Sequence, residues 1–250
     1  MSVSIIPAQP VEALTVKPWT LPKTGLAVYY GCEQALRLFH YFLPGVLFAH
    51  KQILCLDGAN RFDPLLLARF ARSREIDPAE FNARVRVARA FTCFQLTELL
   101  VRAPRMLETF PAATVIVTAL PDLYFDEDVR EPAAQAAFAA ALRALKRLAA
   151  QPVAVGVFTE AEKQNWPQRH RAHRVIREKP KTGFNFKYQI PRMDAGQKGR
   201  RPFFAQLLAA ADWVWRMGED EDGRMQMVCE KEVRRLASAE RTLLQENYEA

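Results

Sequence analysis

The chain has 250 residues, half of them apolar and a quarter charged, which is typical of one globular domain with a sizeable core. No apolar run reaches the roughly 18 residues that a membrane helix needs, and the N-terminus lacks the pattern of a secretory signal. The four cysteines are scattered without a CxxC pair, which favours a reducing cytoplasm and argues against a structural zinc site.

The first elements alternate between extended and helical segments. Four prolines in residues 1–23 indicate an extended arm. Residues 26–30 form a predicted strand, and residues 33–43 form a predicted helix that ends at the Pro-Gly pair 44–45. The continuous apolar run 53–56 is typical of a strand that is buried on both faces of a parallel sheet.

Two cap signals predict the next two helices. Asp63 followed by Pro64 is a helix start, because proline is tolerated at the first helical position. Asp77 and Pro78 repeat the signal, and Glu80 completes a pattern that resembles a capping box. The apolar side of the first of these helices is predicted to comprise Leu65, Leu66, Ala68, Phe70 and Ala71.

The middle of the chain continues the alternation. Residues 85–90 are a predicted strand, residues 94–102 a helix, and the β-branched run 114–118 a buried strand. Residues 132–150 are an Ala/Leu-rich helix with a proline start, and residues 153–158 are another apolar strand. The apolar side of the Ala/Leu-rich helix comprises Phe138, Leu142, Leu145 and Ala149.

The C-terminal part adds a helix at 203–211 and two strands, 213–217 and 225–229, which an acidic turn joins into an antiparallel hairpin at the sheet edge. Alternating strands and helices predict an α/β fold with a mostly parallel central sheet flanked by helices.

One long stretch resembles a known family. Residues 54–100 are similar to the core of the archaeal and eukaryotic RecA-type strand-exchange recombinases, the RadA-like ATPases, and the likeness extends through 138–160 and 201–244. It implies a RecA-like P-loop NTPase fold for residues 24–250, without the family's N-terminal helical domain. The positions in register are Phe62, Pro64, Asp77, Pro78, Val87, Ala88, Arg89, Ala90, Phe91 and Gln95.

The chain departs from the family at its phosphate-binding loop. That loop needs two glycines, a lysine and a hydroxyl at fixed spacing, so that backbone N–H groups, the lysine and a magnesium ion hold the phosphates. If Gly31 takes the first position, Leu36, Arg37 and Leu38 take the others. An arginine can meet a phosphate but is no geometric substitute for the lysine.

The remaining catalytic positions are also altered. The resemblance places the magnesium-side aspartate at Thr118, the catalytic glutamate at Ala59 and the phosphate-sensing glutamine at Glu160. Phosphoryl transfer depends on positioned cations and donors, so we expect no ATPase activity, no catalytic residue, no metal site and no ATP or magnesium cofactor. What is left is a degenerate nucleotide site comprising Gly31, Arg37, Asp57, Thr118 and Glu160.

A basic segment carries the strongest functional signal. Residues 163–201 hold 12 lysines and arginines against two acids, a balance of +10, whereas the chain as a whole carries +7. Cations bind backbone phosphates and aromatic faces stack on bases, so the region 161–202 predicts a contact with single-stranded DNA. The alternatives are a solvated basic loop and, for the aromatic residues, a plain strand. The predicted contacts are Trp166, Arg169, Arg171, Arg174, Arg177, Lys179, Lys181, Phe184, Phe186, Lys187, Arg200 and Arg201.

A pair of histidines and an acidic cluster are the two further candidates for a metal site. His170 and His173 have helical spacing, but no acid or cysteine nearby completes a set, so they are interpreted as surface or nucleic-acid contacts. The acidic cluster of Asp122, Asp126, Glu127 and Asp128 follows a strand end, where sites occur in parallel sheets. It is interpreted as a solvated loop.

Three functions remain as hypotheses. The leading one is an ATPase-deficient RecA-like accessory factor of DNA recombination or repair that binds single strands. The second is a non-catalytic subunit that docks on a RecA-type partner or on itself, with Trp213 or Trp215 exposed on the edge hairpin as contacts. The third is an NTPase with an unusual site around Gly31, Arg37 and Asp57.

Overall fold

The computed structural model describes residues 20–31, 34–160, 202–219 and 225–232, and the elements are numbered within these ranges. The strands are β1 (Gly25–Tyr30), β2 (Ile53–Asp57), β3 (Val85–Arg89), β4 (Thr114–Thr118), β5 (Ala154–Thr159), β6 (Trp213–Glu219) and β7 (Met225–Glu232). The helices are α1 (Ala35–Leu38), α2 (Leu43–Leu47), α3 (Pro64–Arg72), α4 (Pro78–Ala83), α5 (Cys93–Thr109), α6 (Glu131–Ala149) and α7 (Pro202–Ala210). Short 3-10 turns cover Phe39–Tyr41 and Asp122–Phe125.

The described strands form one seven-stranded sheet in the order β3-β2-β4-β5-β1-β6-β7. Every neighbouring pair from β3 to β6 is parallel, and only β7 runs antiparallel, against β6. The predicted α/β class, the mostly parallel sheet and the C-terminal edge hairpin are therefore confirmed. No helix among the described residues is long and apolar enough to cross a membrane.

The sheet separates two apolar cores. Alternate residues of each central strand face opposite sides, so Leu54 and Leu56 of β2 join one core while Ile53 and Cys55 join the other. The first core lies under α5, α6 and α7, and the second lies under α1, α2, α3 and α4. The four inner strands β2, β4, β5 and β1 are buried along their whole length, as expected for strands covered on both faces of a parallel sheet.

Most of the predicted elements are confirmed to within two residues at each end. Asp63 accepts bonds from the N–H groups of Leu65 and Leu66 at 2.8 and 3.3 Å, and Asp77 accepts one from Ala79 at 3.1 Å, so both predicted caps are present. The capping-box part of the second signal is wrong, because the carboxylate of Glu80 pairs with Arg84 one turn further on.

Two predicted helix ends are wrong. The Pro-Gly pair does not end a helix: α2 begins at Leu43 and includes Pro44 in its first turn, where a missing N–H costs nothing. Helix α5 does not end at Arg102 but continues through Pro104 to Thr109. Burial of Ala103 against the first core stabilises this extra length, which local sequence signals do not report.

The predicted apolar side of α3 is partly wrong. Leu65 is 71% exposed, whereas Leu67, which was not on the predicted face, is completely buried with Ala68 and Ala71. Burial of Leu67 and Ala71 in the second core sets the rotation of the helix, so that Leu65 lies in the exposed first turn.

The tryptophans of the edge hairpin are not exposed as the docking hypothesis requires. Trp213 and Trp215 are half-buried and pack against the second core. Nearby in the same core, Gly156 of β5 leaves room for Leu21, since a Cβ on the glycine would lie 3.0 Å from the Leu21 Cδ2 atom. The end of the N-terminal segment therefore packs directly on the sheet.

Candidate functional site

Four of the predicted site residues lie at the carboxyl ends of four adjacent strands. Gly31 follows β1, Glu160 follows β5, Thr118 ends β4 and Asp57 ends β2, and these strands are neighbours in the sheet. The helices that follow β1, α1 and α2, pack on the second core. Helix α7, the next described element after β5, packs on the first core. Adjacent strands with connections over opposite faces mark the position where open α/β sheets bind ligands.

The carboxylate of Asp57 is completely buried and is already occupied by bonds from the protein itself. One oxygen accepts from the Thr118 hydroxyl at 2.8 Å and from the Arg61 N–H at 3.2 Å, and the other accepts from the Phe62 N–H at 2.9 Å. A buried carboxylate needs such donors to offset its lost hydration. Asp57 therefore holds the loop 58–62 against the sheet.

Thr118 completes this arrangement, which we call the loop clasp: Asp57, Thr118 and the loop 58–62. The Thr118 hydroxyl donates to Asp57 and accepts from the Ala59 N–H at 3.0 Å, so both of its hydrogen-bonding functions are used. Gly58 is needed for the close approach, because a Cβ there would lie 2.7 Å from the Thr118 carbonyl oxygen. The position that resembles a magnesium ligand thus stabilises a loop.

A buried histidine, His40, is bonded to the residue that follows the loop of the clasp. The Nδ1 atom of His40 lies 2.8 Å from the Arg37 carbonyl oxygen, which can only accept, so Nδ1 carries the proton and Nε2 accepts from the Asp63 N–H at 2.8 Å. Burial lowers the pKa of His40, while the bond to Arg37 and the charges of Asp63 and Asp57 act in the opposite direction. His40 is therefore neutral and joins the 3-10 turn after α1 to the start of α3.

The segment that would hold phosphates does not form a phosphate cradle among the described residues. Gly31 has a φ of 117°, which only glycine adopts readily. Leu36 and Leu38, at the glycine and hydroxyl positions, are both 8% exposed and belong to the second core. Arg37 between them is exposed on α1, a helix of only four residues.

Asp122 is a site residue that the sequence interpretation missed. It was assigned to a solvated acidic loop, and its neighbours Asp126, Glu127 and Asp128 are indeed exposed. Its own carboxylate instead accepts from the Thr159 hydroxyl at 2.8 Å and the Glu160 N–H at 3.2 Å. The signal was its place at the end of a buried strand, ahead of the other acids.

The environment of Asp122 is unusual for an acid. Both bonds go to Oδ2, whereas Oδ1 is buried without a partner among the described residues. Burial raises the pKa of Asp122 to about 6, although the bonds from Thr159 and Glu160 lower it. Asp122 thus ties the 3-10 turn after β4 to the end of β5, and its pKa lies well above that of an ordinary carboxyl group.

These residues do not fit the magnesium nucleotide that the resemblance implies. The side-chain oxygen atoms of Asp57 and Thr118 are engaged in the loop clasp, and Leu38, which the resemblance places at the metal-holding hydroxyl, is a buried alkyl side chain. Within the described ranges, no three His, Cys, Asp or Glu side chains are grouped so that they could hold a metal ion. Cys55 and Cys93 are buried free thiols, as predicted for core residues.

The predicted DNA contacts lie outside the described residues. They belong to 161–201, the segment between β5 and α7. The set comprises Trp166, Arg169, Arg171, Arg174, Arg177, Lys179, Lys181, Phe184, Phe186, Lys187, Arg200 and Arg201, and His170 and His173 fall in the same range. These contacts remain predictions.

Comparison with known proteins adds no family assignment: no protein-family model matches the chain, and no curated protein matches it.

Proposed function

We propose that the protein is a RecA-like, ATPase-deficient accessory factor of DNA recombination or repair that binds single-stranded DNA through its basic segment, residues 163–201. The observation that carries the proposal is the loop clasp. The edge of the sheet where the resemblance implies nucleotide chemistry uses Asp57 and Thr118 for structure. The connection that leaves the same edge after β5 carries the +10 charge balance.

The strand order supports the RecA-like interpretation. The positions that the resemblance assigns to phosphate, sensor, magnesium and catalytic residues follow β1, β5, β4 and β2, which are consecutive neighbours in the sheet. One nucleotide could touch residues from all four ends, so the resemblance and the topology agree on where such a site would lie. The residue types at this edge favour a RecA-like fold without ATPase activity.

The docking hypothesis receives less support. Its proposed contacts, Trp213 and Trp215, are half-buried against the core. Interfaces between proteins depend on a few large side chains that are free to enter a partner's pocket. We therefore place nucleic-acid binding first.

The proposal is tested by fluorescence anisotropy of a labelled single strand at several salt concentrations. We expect the affinity to fall steeply with salt, with a log-log slope of ~0.7 for each phosphate contact. Replacing Arg169, Arg171, Arg174 and Arg177 by glutamine should lower the magnitude of that slope by about 3. A matched control replaces four arginines on the described surface of α3 and α6, namely Arg69, Arg72, Arg143 and Arg147, and should change the slope much less.

A nucleotide titration tests the other half of the proposal. Labelled ATP should show no saturable binding with or without magnesium, because no cradle or free metal-binding oxygen remains at the loop clasp. Saturable, magnesium-dependent binding that is lost in Arg37→Gln would contradict it and would favour the NTPase hypothesis.

A further inference from the structure

Two exposed aromatic rings lie close together in sequence after β3. Phe91 is 64% exposed and Phe94 is 50% exposed, whereas the other phenylalanines that the structure describes are buried or half-buried. Both follow β3, the edge strand, at the carboxyl end of the sheet. An aromatic ring that is exposed to water does not gain the free energy of burying its apolar surface. Two such rings close together are therefore candidate contacts for a ligand.

The exposed ring of Phe91 is attached to an ordered backbone. The preceding residue, Ala90, donates its N–H to the Asp57 carbonyl oxygen at 3.1 Å. The N–H of Phe91 donates to the Gln95 side chain at 2.7 Å, while the Gln95 N–H donates to the Thr92 hydroxyl at 3.2 Å. These two bonds fix the backbone of the turn into α5, so the backbone that carries Phe91 loses little entropy on binding.

Two unpaired arginines flank this turn. Arg89 is the last residue of β3 and is in register with Asp57 of β2, and Arg61 lies four residues beyond Asp57. Both are exposed, and neither forms an ion pair with an acid within the described residues. The nearby acids are engaged, since Asp63 caps α3 and Glu98 pairs with Arg102.

We propose that Phe91, with Phe94 beside it and with Arg61 and Arg89 as phosphate contacts, is a base-stacking site for single-stranded nucleic acid. Aromatic faces bind unpaired bases without sequence preference, and arginines neutralise the adjoining phosphates. A duplex does not expose its base faces, so the ligand is a single strand. The site lies about 14 Å from the end of β5, three strand spacings along the same edge.

The inference rests on the proposed single-strand binding and adds a second point of contact to it. A strand that leaves the basic segment after β5 would pass the carboxyl ends of β4 and β2 and reach Phe91. The loop clasp, which lies between them, is formed by the protein's own groups and leaves Arg61 exposed on its loop.

The test uses the full chain and an oligothymidylate of about 20 nucleotides in anisotropy titrations. Phe91→Ala should raise Kd roughly tenfold without changing the salt slope, since stacking releases no counterions, and Phe91→Tyr should restore most of the affinity. Arg61→Gln with Arg89→Gln should lower the slope magnitude by about 1.4. Val101→Ala, which trims another exposed apolar side chain on α5, is the matched control and should bind like wild type.

An abasic strand of the same length separates stacking from other effects. It keeps the phosphates and lacks the bases, so Phe91→Ala should not weaken its binding. Equal binding of oligothymidylate by Phe91→Ala and wild type would overturn this inference alone. A wild-type protein that binds no single strand would overturn the proposed function as well. A change in self-association without a change in oligothymidylate affinity would assign the two rings to a protein interface and overturn the stacking site.

Discussion

Single residues at the carboxyl edge of the sheet show opposite responses to pH. Asp122 is an acid whose pKa is raised by burial, and His40 is a base whose pKa is lowered by burial. In both cases burial favours the neutral form over the charged one. The two residues therefore contribute to stability in different pH ranges, and their contributions can be separated by substitution.

For Asp122 the folded state binds the proton more tightly than the unfolded state does. Its contribution is complete below about pH 4 and is lost as the pH rises through about 6, a change of ~3 kcal/mol in the free energy of unfolding. Asp122→Asn removes this dependence, because the amide stays neutral and its oxygen still accepts from Thr159 and Glu160. Urea unfolding at several pH values should show the variant gaining stability over wild type as the pH rises.

His40 does not disturb that comparison, because its own contribution is present above about pH 6.5, is lost as the pH falls, and is common to both proteins. Asp128→Asn, at an exposed position of the same acidic cluster, is the matched control. Parallel stability curves for Asp122→Asn and wild type would contradict the assigned burial.

At the scale of elements, the loop clasp gives the buried Asp57 a structural role. Asp57 accepts three bonds, and Thr118 both donates to it and accepts from the loop. The clasp needs no ligand, because the donors are backbone N–H groups of its own loop and one hydroxyl. Its contribution is therefore to the stability of β2, β4 and the start of α3.

The clasp predicts a difference between two small changes at position 118. Thr118→Val keeps the shape but leaves the Ala59 N–H without its acceptor and removes one of the two bonds to an Asp57 oxygen, so we expect a loss of about 2–4 kcal/mol in the free energy of unfolding. Thr118→Ser keeps the hydroxyl and should lose about 1 kcal/mol, the value of a buried methyl group. Urea denaturation measures both, and equal stability of the two variants would rule the clasp out.

Much of the element order could be predicted from local signals. Continuous apolar runs identified β2 and β4, and the Asp-Pro pairs identified the starts of α3 and α4. The rotation of α3 and the length of α5 could not be predicted, because they depend on burial of Leu67 and Ala103 against residues distant in sequence.

For the residues of the loop clasp, the sequence predicts their places at strand ends but not their contacts. Asp57 and Thr118 were each expected at the end of a strand; the two strands are neighbours, and the side chains are hydrogen-bonded to each other. Their engagement with the loop 58–62 depends on the close approach that Gly58 permits. The burial of Asp122 depends on β5, which follows it by more than 30 residues and which no local pattern connects to it.

On the scale of the whole molecule, α7 follows the basic segment in sequence and packs against the sheet as part of the first core. Phe203 is 2% exposed and stacks on Phe138 of α6 with ring centroids 4.5 Å apart, next to Phe125 at 5.8 Å. Lys231 of β7 donates to the Leu208 and Ala209 carbonyl oxygens at 3.1 and 3.0 Å, which satisfies the last turn of α7. Helix α7 is thus part of the same core as α6, and a side chain of β7 is bonded to its last turn.

This packing predicts that the molecule unfolds in one transition. Phe203→Ala should lower the free energy of unfolding by about 3–5 kcal/mol while the transition stays single, because α7 and α6 share one core. Phe204→Ala, at a half-buried position 5.0 Å from the Tyr30 ring, is the control and should cost less. Circular dichroism and tryptophan fluorescence should report the same midpoint. Separate midpoints would show that α7 and the hairpin melt independently.

The small contact between Leu21 and Gly156 has a practical consequence for anyone who shortens the protein. Leu21 packs over Gly156, which has no side chain to cover this part of the sheet face. The side chains of Ile116 and Phe158 lie close by. A shortened version that starts after residue 24 would retain every strand and helix that the structure describes, yet it would expose that part of the sheet to solvent. A truncation at the amino terminus should therefore end before Leu21, even though the sequence predicts only an extended arm for residues 1–23.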